Sequence, residues 1–183
     1  EKLPYLKRVI VMSENDYPGI YKWSEFVEFA KQVSNETLED AMKATHNDEV
    51  INIQYTSGTT GFPKGVMLSH KNIVNNGQLV GDYIHLTEHD RLCIPVPFFH
   101  CFGCVMGTIA SVTHGTTMVI IEQFDAGKVL KIVQDEKCTA LHGVPTMFIA
   151  ELNHPNFKQY DLSSLRTGIM AGSICPMEVM KKV

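Results

Sequence analysis

Residues 55–66, YTSGTTGFPKGV, place glycines, hydroxyl side chains and a lysine in one short stretch of the chain. Glycines permit positive φ and let backbone N–H groups approach a ligand without an intervening Cβ. Hydroxyl groups add donors, and a lysine supplies a mobile cation that suits a polyphosphate. The stretch therefore predicts a phosphate-binding loop, whose candidate residues are Ser57, Gly58, Thr59, Thr60, Gly61, Lys64 and Gly65.

Two common phosphate-binding motifs do not fit this stretch. The Walker A loop requires a serine or threonine directly after its lysine, whereas Gly65 follows Lys64. The GxGxxG fingerprint of dinucleotide-binding folds is also absent between the preceding strand-like run and the helix-like run that follows. A P-loop NTPase and a Rossmann dinucleotide site are therefore disfavoured, and a solvent-exposed Gly/Thr turn stays as the structural alternative.

The composition is that of an ordinary globular domain. The chain has 183 residues, of which 44% are hydrophobic and 20% charged, so it can bury a sizeable core. Its formal net charge of -4, without a long run of one sign, gives no reason to expect nucleic acid or an anionic membrane as a partner. The longest nearly uncharged apolar run, residues 101–112, is shorter than the ~20 residues of a membrane-spanning helix, so no transmembrane segment is expected.

The five cysteines are odd in number and irregularly spaced, which argues against a disulfide framework and favours a reducing compartment. We therefore expect a cytoplasmic protein, and the first residues show no signal peptide. Cys101 and Cys104 form a CxxC motif, so a zinc site or a thiol redox centre is an alternative function. Further metal ligands at matching spacing are missing from the sequence, and core packing is the favoured role for this pair.

Short apolar runs alternate with helix-like periodicity from residue 50 onward. The pattern predicts strands at 50–55, 91–96, 116–121, 139–141 and 167–170, and helices at 70–84, 103–113, 125–136, 145–153 and 176–183. Such alternation implies βαβ units, and hence an α/β fold whose largely parallel sheet carries helices on both faces. Residues 1–49 form a peripheral segment, for which the pattern predicts one strand and two helices, at 7–12, 23–33 and 36–46.

Polar, glycine-bearing segments follow four of the predicted strands: TSGTTGFPKG, PFFHCFG, HGVPT and AGSICP. The carboxyl ends of parallel strands lie at one edge of a sheet, and ligands bind beyond that edge. The four segments are therefore expected to converge there and to form one site. The histidines outside the PFFHCFG segment lack a chemical constellation and are predicted to have surface or capping roles: His46, His70, His85, His89, His114, His142 and His154.

Residues 55–66 are long and specific enough to indicate a family. They resemble the signature loop of the adenylate-forming superfamily, which includes acyl-CoA synthetases, firefly luciferase and peptide-synthetase adenylation domains. PFFHCFG (97–103) resembles the second core motif of that superfamily, and AGSICP (171–176) resembles its adenine-facing loop. GVPTMF (143–148) and SHKNIVNN (69–76) are most similar to the fatty-acyl-CoA synthetase branch, in particular to medium-chain acyl-CoA synthetases.

The resemblance implies that residues 50–183 are part of an AMP-binding subdomain in the large N-terminal domain of an adenylate-forming enzyme. It also implies a two-step reaction with ATP, a fatty carboxylate and coenzyme A. The carboxylate attacks the α-phosphate of ATP to give an acyl-adenylate and pyrophosphate, and coenzyme A then displaces AMP. Residues 56–61 and Lys64 would hold the β- and γ-phosphates and the leaving pyrophosphate, with Thr56 as a contact for Mg²⁺.

Further site residues are implied by the same motifs. His100 matches the histidine that lies between the acyl pocket and the α-phosphate, where it would orient the carboxylate or the adenylate oxygens; a structural histidine is the alternative. The adenine ring would lie against Gly172 and Ser173, for which a simple strand-to-helix turn is the alternative. The acyl pocket would be bordered by Phe99, Phe102, Gly143, Val144 and Pro145. For the two phenylalanines a plain core role stays open.

Several groups that the family uses are expected beyond residue 183: a tyrosine that stacks on adenine, a metal-binding glutamate, an aspartate for the ribose, and a lysine on a mobile C-terminal domain. The chain is therefore interpreted as an excised piece that has no ligase activity alone. A 4-coumarate-type CoA ligase and an amino-acid adenylation domain are alternatives within the enzyme class. A non-catalytic nucleotide- or acyl-binding module is an alternative outside it, and a homodimer is compatible with each of these functions.

Overall fold

A computed structural model describes residues 3–56 and 61–183 of the chain. Four residues of the predicted phosphate loop lie outside these ranges: Ser57, Gly58, Thr59 and Thr60. Within the described ranges, no helix is long and apolar enough to cross a membrane. The chain divides into two compact units, Glu1–His46 and Asn47–Val183. The boundary after residue 49 that the sequence suggests stays a prediction.

The first unit consists of short elements. In chain order they are strands β1 (Ile10–Val11) and β2 (Tyr21–Lys22), helix α1 (Trp23–Glu28), a 3₁₀ turn (Phe29–Gln32) and helix α2 (Asn35–Lys43). The two strands pair in parallel. Both predicted helices are confirmed with different bounds, whereas the strand predicted at 7–12 is reduced to two residues. The predicted site residues all belong to the second unit.

The second unit opens with a β-hairpin. Strand β3 (Val50–Thr56) pairs antiparallel with strand β4 (Lys64–Ser69), and Thr56 and Lys64 are the partners next to the loop. The prediction that the phosphate loop leads from a strand of the parallel sheet towards a helix is therefore wrong, because a second strand follows the loop. Strand β3 belongs to a separate two-stranded sheet and not to the parallel one.

A parallel sheet of four strands and the helices that connect them form the rest of the second unit. The elements are α3 (His70–Tyr83), β5 (Arg91–Ile94), a π-helix (Phe102–Ile109) that continues as α4 (Ala110–His114), β6 (Thr117–Ile120), α5 (Ala126–Asp135), β7 (Ala140–Gly143), α6 (Pro145–Leu152), a 3₁₀ turn (Phe157–Gln159), β8 (Thr167–Met170) and α7 (Met177–Lys182). The strands lie in the order β6-β5-β7-β8, and every neighbouring pair is parallel. This arrangement confirms the predicted α/β fold with its largely parallel sheet.

The two inner strands of the parallel sheet, β5 and β7, are buried on both faces. Alternate side chains of β5 point to opposite faces, so Leu92 and Ile94 pack in one apolar cluster and Cys93 packs in another. The first cluster contains Phe102 of the π-helix, and the second contains Val129 of α5. Helices therefore cover both faces, as the sequence pattern predicts, and the segments that follow the strands lie beyond the carboxyl-end edge.

A buried carboxylate ties the opposite edge of the sheet together. Asp90, which is 3% exposed, accepts hydrogen bonds from Thr87 N and Oγ1 at 2.8 and 2.9 Å, from Thr139 Oγ1 at 2.6 Å and from Arg166 Nε at 3.0 Å. Burial alone would raise the pKa of Asp90, but hydrogen bonds from Arg166, Thr139 and Thr87 outweigh it and lower the pKa to about 2. Because Asp90, Thr139 and Arg166 directly precede β5, β7 and β8, this carboxylate fixes the starts of three adjacent strands.

Helix α3 packs against α4 at Gly81, where there is no room for a side chain. A Cβ at this position would lie 2.2 Å from Cε1 of His114. The ring of His114 lies 2.9 Å from the Ala110 carbonyl oxygen and 3.2 Å from the Asp82 carboxylate, so it is held in place. We expect Gly81→Ala to lower the free energy of unfolding of the chain by ~2 kcal/mol in urea denaturation, because the added methyl group overpacks the helix contact.

The matched control for Gly81→Ala is Asn75→Ala, at an exposed position of the same helix. Alanine has the higher helix propensity, so this control is expected to keep or slightly raise the free energy of unfolding. If the Gly81→Ala chain is as stable as the wild type, the packing argument is wrong. The helix propensity of alanine would then be enough to explain the stability of both variants.

Candidate active site

Two of the predicted site segments meet where β7 and β8 end. The Ala171 N–H donates a hydrogen bond to the Gly143 carbonyl oxygen at 3.2 Å, which joins the chain after β8 to the end of β7. Gly172 has a φ of +91°, and a Cβ there would lie 3.1 Å from Cγ1 of Val144. A residue other than glycine would be both strained and crowded at this position. The predicted acyl-pocket wall and the predicted adenine loop are therefore neighbours, with Ser173 exposed beside them.

His100 lies in the segment that follows β5, and local hydrogen bonds hold it there. Its N–H donates to the Pro97 carbonyl oxygen at 3.3 Å, and its own carbonyl oxygen accepts from Cys104 N at 3.0 Å. Its ring Nδ1 accepts a hydrogen bond from Phe102 N at 3.1 Å. Because Nδ1 acts as an acceptor, the neutral imidazole carries its proton on Nε2. The exposed ring can thus donate a hydrogen bond to an oxygen atom of a ligand.

The two phenylalanines predicted to border an acyl pocket have very different surroundings. Phe99 is 87% exposed and is free to contact a ligand beside His100. Phe102 is 3% exposed and packs in the core cluster with Val96 and Ala110. Phe102 therefore packs in the core beneath residues 97–103. Of the two roles considered for it, the core role is the one observed.

The remaining predicted wall residues continue β7 into α6. Gly143 is the last residue of β7, and a Cβ there would lie 2.9 Å from the Phe148 ring. Val144 is the N-cap residue, and Pro145 occupies the first turn of α6, where its missing N–H breaks no helical hydrogen bond. The sequence prediction that Pro145 begins a helix is confirmed.

The described part of the predicted phosphate loop is its base. Thr56 and Lys64 are paired across the hairpin, so their backbones lie side by side where the loop begins and ends. Gly61 has a φ of +85°, and no heavy atom of the described residues lies within 4 Å of the position of a Cβ. Lys64 is exposed. A glycine with positive φ and open space around it, together with an exposed lysine, suits a loop that binds an anion. The remaining loop residues, Ser57 to Thr60, lie outside the described residues.

The zinc site and the thiol redox centre considered as alternatives both concern Cys101 and Cys104. Among residues 3–56 and 61–183, no three side chains of His, Cys, Asp or Glu are grouped so as to hold a metal ion. Cys101 and Cys104 are free thiols, the first exposed and the second half-buried. The core packing predicted for this pair is therefore wrong for Cys101, which sits before the first turn of the π-helix. For Mg²⁺, the sequence-based contact at Thr56 stays a prediction.

His142 and Glu151 are buried polar residues that, like Asp90, were not predicted from the sequence. His142 on β7 is fully buried, so the surface or capping role predicted for it is wrong. Its Nε2 lies 3.1 Å from the carbonyl oxygen of Met106, and its ring packs on Phe102. Glu151 on α6 is 4% exposed. The signal for His142 was its place within a central strand of a sheet that is buried on both faces.

The whole chain, residues 1–183, matches the model of a protein family described as AMP-binding enzyme. It is similar to the putative acyl-CoA synthetase YngI of Bacillus subtilis (strain 168), with 57% identity over 183 residues that cover 100% of this chain and 33% of that protein. It is also similar to the mitochondrial medium-chain acyl-CoA ligase ACSF2 of Danio rerio, with 42% identity over 185 residues that cover 100% of this chain and 30% of that protein. The chain thus spans roughly a third of the length of these curated relatives.

Solved structures share the fold. ATP-bound MatB from Rhodopseudomonas palustris has a TM-score of 0.69 and 28% sequence identity, and the match covers 80% of this chain and 30% of that one. The inhibitor-bound N-terminal domain of FACL13 from Mycobacterium tuberculosis has a TM-score of 0.68 and 25% identity, over 92% of this chain and 42% of that domain. The α/β architecture described above is therefore shared with MatB and with the N-terminal domain of FACL13.

Proposed function

The chain belongs to the AMP-binding enzyme family, and from that premise we propose that the protein containing it is an ATP-dependent fatty-acyl-CoA synthetase. The carboxylate of a fatty acid attacks the α-phosphate of ATP, which gives an acyl-adenylate and releases pyrophosphate. The thiol of coenzyme A then attacks the acyl carbonyl group, which gives the acyl-CoA and releases AMP. The observation that carries the proposal is the hairpin base, where Thr56 and Lys64 are paired at the two ends of the glycine- and threonine-rich loop. The names of the two relatives, an acyl-CoA synthetase and a medium-chain acyl-CoA ligase, support the choice of substrate.

The first task of the site is to hold two anions together. A carboxylate that approaches a triphosphate is repelled, so positive charge and N–H donors must balance the phosphates. Lys64 supplies the charge, and residues 56–61 supply the backbone and hydroxyl donors, with room at Gly61 for close approach. Mg²⁺, when bound, would neutralise further phosphate charge, and the Thr56 hydroxyl is the contact proposed for it.

The second task is to aim the carboxylate at the α-phosphate. The Nε2–H of His100 donates a hydrogen bond to a carboxylate or adenylate oxygen, while Nδ1 stays bound to the backbone N–H of Phe102. The acyl chain is proposed to lie against Phe99, which is exposed, and against residues 143–145, of which Val144 is half-buried and the other two are buried. Gly172 and Ser173 lie against the adenine, since the backbone of Gly172 carries no Cβ that would intrude.

A compartment and an assembly are part of the proposal. Five unpaired cysteines suit a reducing compartment, and we place the protein in the cytoplasm. The Danio rerio relative is named as mitochondrial, so mitochondria are the competing location. A homodimer is proposed as the assembly. The 183-residue chain by itself is proposed to be inactive, because it spans roughly a third of the length of its relatives.

The experiment that tests the reaction is a panel of carboxylates assayed by pyrophosphate release, on a full-length protein that contains this chain. We expect release that depends on a fatty carboxylate of medium length, and acyl-CoA formation once coenzyme A is added. Preference for 4-coumarate or for an amino acid would replace the fatty substrate by one of the other acids considered above. Pyrophosphate release that no carboxylate stimulates would refute the proposed reaction.

A further inference from the structure

The helix that follows His100 is a π-helix whose carbonyl groups take hydrogen bonds from side chains. Thr108 Oγ1 donates to the Gly103 carbonyl oxygen at 3.2 Å, and Ser111 Oγ donates to that of Gly107 at 2.8 Å. Both donors belong to the helix itself or to its continuation, α4. His142 Nε2, 3.1 Å from the Met106 carbonyl oxygen, comes instead from strand β7. His142 therefore ties this helix to the centre of the sheet.

The imidazole of His142 contacts the helix at two points one turn apart. Its ring centroid lies 5.4 Å from that of Phe102, with an angle of 35° between the rings, and its Nε2 reaches Met106. Burial lowers the pKa of His142, so the ring is neutral at pH 7. Because a carbonyl oxygen can only accept, the single ring proton of neutral His142 is on Nε2.

The start of the same helix holds His100. The N–H of Phe102 donates to His100 Nδ1 at 3.1 Å, and the N–H of Cys104 donates to the His100 carbonyl oxygen at 3.0 Å. A Cβ at Gly103 would lie 2.4 Å from the Pro97 carbonyl oxygen, so the first turn is pressed directly against the chain that leaves β5. A shift of Phe102 therefore moves the ring of His100.

We propose that His142 is a positioning residue that holds the first turn of the π-helix and thereby fixes the His100 imidazole at the edge of the sheet. The chain of contacts runs from β7 through His142 to Phe102 and Met106, and from Phe102 N–H to His100 Nδ1. The catalytic consequence rests on the proposed function, because it requires that His100 touches the substrate. The structural consequence, the position of the His100 ring, is independent of the proposed function.

Two substitutions of His142, by leucine and by glutamine, distinguish a positioning role from a role in packing alone. His142→Leu fills the buried space with an apolar side chain and removes the donor to Met106, which costs stability. It also removes Nδ1, a buried atom without a hydrogen-bond partner among the described residues, so the net loss of stability should be small enough for the chain to stay folded. His142→Gln keeps an N–H donor at about the position of Nε2. A residue that only fills space would tolerate leucine better than glutamine, whereas a positioning donor requires the opposite order.

The first measurement is the ¹⁵N resonance of His100 Nδ1 in the 183-residue chain, which reports the hydrogen bond from Phe102. In His142→Leu the resonance should move towards the value of an Nδ1 without a bound donor, while in His142→Gln it should stay near the wild-type position. An unmoved resonance in His142→Leu, or equal shifts in both variants, would overturn the proposal.

The second measurement is carboxylate-dependent pyrophosphate release by a full-length protein that contains the chain. His142→Leu should lower kcat about tenfold or raise the KM for the carboxylate, with the KM for ATP unchanged at a temperature at which both variants are folded, and His142→Gln should restore most of the rate. Wild-type kinetics in His142→Leu, or losses in both variants that follow the melting temperature, would overturn the catalytic part. A wild-type protein without this activity would refute the proposed function, and the resonance of His100 would then decide the role of His142.

Discussion

Lys64→Ala is expected to lower carboxylate-dependent ATP–pyrophosphate exchange about 100-fold in a full-length protein that contains the chain. Lys64 opens strand β4 and is exposed, so its ammonium group is free to meet the phosphates next to the loop. Alanine removes the positive charge that balances the leaving pyrophosphate as the α-phosphate is attacked. The side chain lies outside the two core clusters, and the melting temperature should therefore stay unchanged.

The control for this variant is Lys128→Ala, an exposed lysine on α5 in the same unit. It changes the net charge of the protein by the same amount, so it measures any long-range electrostatic effect on ATP binding. Exchange should stay within about twofold of the wild type in the control. Equal exchange in Lys64→Ala and in the wild type would remove Lys64 from the phosphate site, and equal losses in the two variants would assign the effect to net charge alone.

The two inner strands of the parallel sheet, β5 and β7, could be predicted from the sequence because they are buried on both faces. Such strands appear as short apolar runs between helical patterns, and strand β8 has the predicted bounds, Thr167–Met170. Strand β5 ends at Ile94, two residues earlier than predicted. Pro95 follows it directly, and a proline has no N–H to continue the ladder of hydrogen bonds. The apolar run thus indicated burial correctly and strand length incorrectly.

The hairpin could not be predicted in the same way. Pro63 and Gly65 flank Lys64, and residues of these types normally mark a loop. Strand β4 exists because each of its residues finds a partner in β3, as in the pair Gln54 and Val66. That pairing joins residues across the phosphate loop, and no local pattern shows it.

The exposed part of the candidate site was easier to predict than its buried support. His100 and Gly172 belong to motifs that can be recognised as such, and the structure places both beyond strand ends. The support from His142 depends on which helix covers that face of β7, which only the folded chain shows. Glu151 gave one local signal, its spacing of three residues from Phe148 on α6, which places both on the same side of the helix.

Glu151→Gln is expected to stabilise the chain by ~3 kcal/mol at pH 9 and to change its stability little at pH 5. Glu151 borders a cavity of about 240 Å³ that is lined by apolar residues such as Leu130, Val133 and Phe148. Burial raises the pKa of Glu151 to about 8, from 4.5 in the unfolded chain. The folded state therefore keeps a proton that the unfolded state loses, and the wild type loses stability as the pH rises from 4.5 to 8. Glutamine has the same shape but cannot ionise, so it avoids this loss.

The measurement is urea denaturation of both chains between pH 5 and pH 9, with Glu122→Gln as the control at an exposed position. The free energy of unfolding of the wild type should fall across this range relative to that of Glu151→Gln, and the control should follow the wild type. Parallel curves for all three chains would mean that Glu151 ionises in the folded state as easily as in water. In that case the carboxylate must be hydrated through the cavity or paired with Lys182, which borders the same cavity. A difference that keeps growing above pH 8 would mean that the folded-state pKa of Glu151 is higher still, and that Glu151 stays neutral until the fold opens around α6.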